Sequence, residues 1–118
     1  MVFGRRGPDN RGLVHDALDR VAVLEDIRAL ARARAPMLEQ VERTLADGYV
    51  CALGIEAQRL RLQRELEGSA AGLANPARRK VAEVAGLAQG IAQADEELAE
   101  LRAALIELAR TARRLRAA

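Results

Sequence analysis

The chain has 118 residues, half of them hydrophobic but only 2% aromatic, and its 19 Lys+Arg against 17 Asp+Glu leave a net charge of +2. Ala (25) and Leu (17) dominate the apolar set, which is the composition of long helices and excludes a sheet rich in Val, Ile and aromatic residues as the main element. A single Cys and a single His exclude an internal disulfide and a zinc cluster, and the length bounds the chain to one domain or less.

Residues 1–12 hold three Gly, one Pro and three Arg with no hydrophobic period after Phe3, so they read as a flexible basic tail. The arginines near the start are not followed by the apolar stretch of a secretion signal, and no apolar run approaches the ~18 residues of a membrane span. A cytoplasmic, reducing setting is the expectation. From Leu13, the residues Ala17, Val21, Leu24, Ile27 and Ala31 recur every three or four positions and predict a helix over about 13–35. Asp16 and Asp19 suit its positive end, and Asp16 can reach Arg20 one turn on. Pro36 lacks a backbone donor and crowds Ala35, so this point either ends the helix or kinks a longer one.

Beyond it, Leu38, Val41, Leu45, Gly48, Ala52, Ile55, Arg59, Leu62 and Leu66 alternate spacings of three and four, predicting a helix over 37–67. Glu39 with Arg43 and Arg61 with Glu65 are one-turn charge pairs on its polar side. Gly48 and Gly54 each weaken it by roughly 1 kcal/mol relative to Ala, and one or both permit a close approach. Gly68 is placed to end this helix, while Asn75-Pro76 reads as an N-cap followed by proline at the first helical position. The last helix, 77–117, has the strongest period, ten positions from Val84 through Leu87, Ile91, Ala94, Leu98, Leu101, Leu105, Leu108 and Ala112 to Leu115. A connection this short favours an antiparallel hairpin. Since 37–67 is shorter than 77–117, the segment before Pro36 should extend the first arm or fold back as a third helix.

The arms carry more apolar surface than one seam needs. Tyr49, Val50, Leu53, Ala57 and Leu60 adjoin the seam of the first arm, and Ala85, Gly86, Ala88, Ala92, Ala99 and Ile106 that of the second. Apolar arcs this wide usually meet more than one neighbour, and a lone hairpin of this size buries little against its chain entropy. Tyr49, Val50, Leu53, Leu60, Gly86, Gly90 and Ile106 are therefore the candidate partner interface. The expected partner is a second copy, as a homodimer, or a helix of another protein. Gly86 and Gly90, four apart, permit close helix approach.

Chemistry is sparse. Cys51 sits beside the seam with no base in its own segment, and reads as a buried structural residue; His15 reads as a solvated first-turn residue. Asp95, Glu96, Glu97 and Glu100 lack the Glu-x-x-His partner of carboxylate metal bundles and read as a solvated face with one interhelical ion pair. No catalytic, cofactor-binding or metal-binding residue is expected, nor a small-molecule substrate. Charge is uneven: residues 1–12 carry +2, residues 110–118 carry +4, and the 97 between carry −4. Arg110, Arg113, Arg114 and Arg116 suit the negative end of the last helix and are also available for anion contacts. Nucleic acid is the less favoured partner, because aromatic stacking platforms are missing. The preponderance of 18 Arg over one Lys fits a GC-rich bacterial genome.

Asp47, Cys51, Gly54, Gln58 and Leu62 stand in the register in which cyclic-di-GMP-dependent anti-sigma factors place a spaced Glu, Ser, Arg, Gln and Asp. The hairpin layout loosely resembles that family. Gln58 is identical and Asp47 is an acidic substitution, while the arginine and the final carboxylate that would grip the nucleotide are replaced by Gly54 and Leu62. Leu-rich flagellar export chaperones share the long-helix character without a common motif. The resulting expectation is an all-α, coiled-coil-like antiparallel hairpin with an additional N-terminal helix or kinked extension at Pro36, completed to a bundle by oligomerisation. Its expected function is that of a non-enzymatic interaction module or adaptor. The alternative is a small bacterial regulator, anti-sigma-like or nucleic-acid-associated, that uses its basic ends.

Overall fold

A computed structural model describes the backbone over residues 10–71 and 78–118 and the side chains over 19–69 and 81–118. Among the described residues there are three helices and no strand: α1 (Asn10–Ala31), α2 (Leu38–Ala71) and α3 (Arg78–Ala117). The fold is all-α. Helices α2 and α3 form the long antiparallel hairpin, as a ladder of ion pairs shows: Glu42 near the start of α2 meets Arg116 near the end of α3, and Arg59 meets Asp95. The third helix, α1, folds back onto this hairpin and touches both arms. A radius of gyration of 18.6 Å and extents of 64 × 39 × 16 Å describe an elongated, flattened molecule, since a compact chain of about 100 residues has a radius near 13 Å.

The joint at Pro36 is a break. Arg32 N–H is shared between the Arg28 and Ala29 carbonyls at 3.3 and 3.2 Å, and Ala33 N–H donates to Leu30 O at 3.2 Å, so the last turn tightens before the backbone that proline excludes from helix. Met37 then opens α2, its carbonyl accepting from Val41 N–H at 3.0 Å, with Glu39 in the first turn where the helix dipole favours it.

Boundaries differ from the periodicity in three places. Residues 10–12, expected in the tail, lie in α1; residues 1–9 lie outside the described part. Helix α1 stops at Ala31, four residues before 35. Helix α2 continues to Ala71, so Gly68 does not end it, and no described glycine has a positive φ. The expected cap at Asn75-Pro76 lies outside the described residues, as do the side chains of Asp16 and His15.

The core is one contiguous cluster of aliphatic side chains. Both long-arm stripes sit where their spacing puts them: Val41, Leu45, Ala52 and Ile55 of α2 pack against Ala94, Leu98, Leu101, Leu105, Leu108 and Ala112 of α3. Gly48 lies in the same buried row. The stripe of α1 is rotated from the expected one. Val21 is 56% exposed, whereas Ile27 and Leu30 are buried with Val23, Leu24 and Ala31 packed beside them. In place of Val21, Arg20 turns inward. Ala104 and Thr111 are also buried on α3, and the Thr111 hydroxyl donates to Glu107 O one turn back at 3.5 Å, so its burial leaves no unpaired donor.

Candidate functional site

Tyr49 and Leu53 of α2 and Ile106 of α3, each more than half exposed, flank a groove of about 500 Å³ whose floor is Ala52, Leu105 and Ala109. No described α1 residue lines it. The groove follows from helix geometry: Tyr49, Leu53 and Leu60 lie one step round from the Ala52–Ile55 seam, so satisfying the seam leaves them pointing along the open side of the hairpin. Isolated apolar side chains on a surface are ordinary, but a set converging from two helices onto one trough is not.

Charges at this groove are largely spoken for. Glu56 accepts from Arg102 across it, Glu42 accepts from Arg116 Nε and Nη2 at 3.1 and 2.9 Å beyond one end, and Asp95 accepts from Arg59 Nε at 2.5 Å towards the other. Arg113 also lines the groove. No ion pair or side-chain hydrogen bond reaches it among the described residues.

The remaining candidate residues scatter. Val50 is exposed but belongs to a different groove, between α1 and α2, with Ala22, Val23 and Cys51. Leu60, about half exposed, continues the line of Tyr49 and Leu53. Gly90 is an internal contact of the hairpin, because a Cβ built there would stand 3.2 Å from Leu62 Cδ1. Gly86 faces open space, so the pair does not form a common close-approach surface. Among the arginines expected at anions, Arg116 is held by Glu42 and Arg114 donates to Thr111 Oγ1 at 3.2 Å.

The groove between α1 and α2 collects Asp47, Cys51, Gly54 and Gln58, four of the five positions in the anti-sigma-like register. Gln58 Oε1 is occupied by Arg20 Nη2 at 2.5 Å, and Arg20 Nη1 donates to Glu97 Oε1 at 2.7 Å. One arginine thus ties all three helices together. With Arg20 neutralised, Arg61 alone faces Asp19, Asp26 and Asp47. That excess of carboxylates repels a phosphodiester rather than receiving one.

Cys51 is half-buried against the core, and burial pushes its thiol up, opposed by the nearby Arg20 guanidinium. The thiolate that nucleophilic chemistry needs is therefore disfavoured. Iodoacetamide should label Cys51 more slowly in the native chain than in the guanidinium-unfolded chain, with its pH midpoint moved upward; equal rates and midpoints would contradict the burial. Asp95 and Glu97 engage Arg59 and Arg20 respectively, two interhelical pairs where one was expected. The expected Glu39–Arg43 pair forms at 3.6 Å, while Arg61 and Glu65 form none among the described residues. No group of three metal-ligating side chains converges among the described residues, and no described helix is long and apolar enough to cross a membrane.

Composition and period could not reveal the Arg20 network, because an arginine on a stripe is discounted when only apolar residues are counted. Its signal was the spacing of Arg20, Val23 or Leu24, Ile27 and Leu30, which fits a helix face as well as the stripe through Val21. No protein-family model, curated protein or solved structure matches the chain.

Proposed function

We propose that the chain is a non-enzymatic helical interaction module, a cytoplasmic adaptor that binds through the uncovered side of its α2/α3 hairpin. The observation that carries this reading is the convergence of Tyr49, Leu53 and Ile106 on one apolar trough. Covering such a surface gains roughly 25 cal/mol for each Å² of apolar area removed from water. The occupant is a helix, either of a second copy or of another protein.

Leu53→Glu combined with Ile106→Glu tests the reading. Both positions are exposed, so each substitution should change stability by no more than about 0.5 kcal/mol. The wild-type chain should self-associate by light scattering between micromolar and submillimolar concentration, or hold a partner from its native cell, and the double variant should do neither. Identical behaviour of the two proteins would remove the proposal.

A second reading, a small bacterial regulatory protein that contacts nucleic-acid phosphates, is favoured by the gathering of arginines such as Arg28 of α1, Arg43 of α2 and Arg116 of α3 where the start of α2 meets the end of α3. It expects retardation of generic duplex DNA that weakens steeply with salt. No binding at low salt would eliminate it.

A further inference from the structure

The groove runs into the most cationic part of the described residues. Contact of Glu42 with Arg116 places the start of α2 beside the end of α3. The segments meeting at that end, residues 28–43 and 107–118, hold eight arginines against three glutamates, a net +5. The other described side chains, residues 19–27, 44–69 and 81–106, sum to −7. A ligand lying along the groove therefore experiences a polarised field, positive at the Arg113 end.

We infer that the groove receives an amphipathic helix of another protein, one whose apolar stripe covers Tyr49, Leu53 and Ile106 and which carries acidic residues at the end that meets Arg113. This rests on the interaction-module reading and names the partner's chemistry. A second copy fits less well, for a reason of charge. A two-fold contact sets the same face against itself, so each Arg113 would need a carboxylate from the other copy's face. The one carboxylate lining the groove, Glu56, is already bound to Arg102, and Glu42 and Asp95 beyond its ends are bound to Arg116 and Arg59. A second copy centred on the groove could draw on these three only by breaking an existing pair, and otherwise would bring two cations under cover. An acidic partner helix supplies the missing carboxylate directly, and the positive end also speeds its approach.

The test uses the full chain and two fluorescein-labelled 16-residue helical peptides with leucines at i, i+3 and i+7. One has three glutamates in a terminal turn, the other three lysines at the same positions; each is made with the charged turn at either end, so that either polarity of docking is read. By fluorescence anisotropy in low salt, a glutamate peptide should bind about tenfold more tightly than its lysine counterpart. Arg113→Glu should reverse that order, and Leu53→Glu should abolish binding of both while circular dichroism shows both variants folded. Equal affinity of the two peptides for wild type would overturn the acidic partner and leave the groove reading standing. So would a wild-type dimer that Leu53→Glu disperses, because the second copy would then be the occupant. Failure of every peptide to bind the monomeric wild-type chain would overturn both.

Discussion

Replacing Ile27 by alanine should lower the stability of the bundle by about 3 kcal/mol, a fall in Tm of roughly 10–20 °C for a domain of this size. Ile27 is fully buried. Its Cδ1 lies over Gly48, in the same place that Leu105 reaches from α3, so this one side chain packs against both arms of the hairpin. Truncation to alanine removes the buried methyl groups and leaves a void that neighbours on three helices cannot close together. A typical domain is stable by only 5–15 kcal/mol, which makes the loss a large share of the total. The damage should also be uneven. Among the described side chains, helix α1 touches the hairpin through few buried ones, Ile27 and Leu30, whereas α2 and α3 share a long seam. Amide hydrogens of α1 between 20 and 31 should therefore lose protection first, while those of the α2/α3 seam stay protected. Uniform loss of protection across all three helices would mean that α1 is integral to the hairpin rather than docked upon it.

The difference in legibility between α1 and the other two helices has the same physical root. Along α3, apolar residues repeat every three or four positions for ten places, so only one face can be the buried one. The seam from Val84 to Leu115 was readable for that reason. Helix α1 carries Val21, Ala22, Val23 and Leu24 in succession, which spreads apolar surface nearly all round and leaves the choice of face to the neighbours. The neighbours chose Arg20 over Val21, because Glu97 and Gln58 converge there to satisfy the guanidinium, and a charge that finds partners in a partly buried place is tolerated. Pro36 announced a joint, but proline alone is compatible with a kink or a stop. What settled it was the contact of α1 with both arms. The docking groove was half visible: Tyr49, Leu53 and Ile106 follow from the width of the apolar arcs, while Val50, Gly86 and Gly90 went elsewhere. A one-residue step is a rotation of about 100° on a helix, enough to move Val50 from the open side to the α1 side. Gly90 could not be told from an external contact until its neighbour across the hairpin, Leu62, was known.

Gly48→Val is expected to destabilise the chain by about 2–3 kcal/mol, against the usual sense of replacing a glycine inside a helix. Intrinsic propensity alone predicts a gain when a mid-helix glycine becomes alanine, of roughly 1 kcal/mol. At Gly48 packing opposes it. A Cβ built there would lie 2.5 Å from Leu105 Cδ2 and 2.9 Å from Ile27 Cδ1. Both are ends of flexible side chains, which ordinarily swing away, but Leu105 is 4% exposed and Ile27 is 0% exposed. With neither able to turn into solvent, the strain must go into off-rotamer side chains or into separating the helices at the point where all three meet. Valine adds two further methyl groups to the clash, and its β-branching removes part of the propensity gain. Gly54, six residues along the same helix, is the control: a Cβ there meets nothing within 4 Å, so Gly54→Ala should stabilise by about 0.5–1 kcal/mol. Urea unfolding followed by circular dichroism reads both, and the midpoints should move in opposite directions from wild type. If Gly48→Val raised the midpoint as Gly54→Ala does, the three helices would not approach as closely at Gly48 as this packing requires.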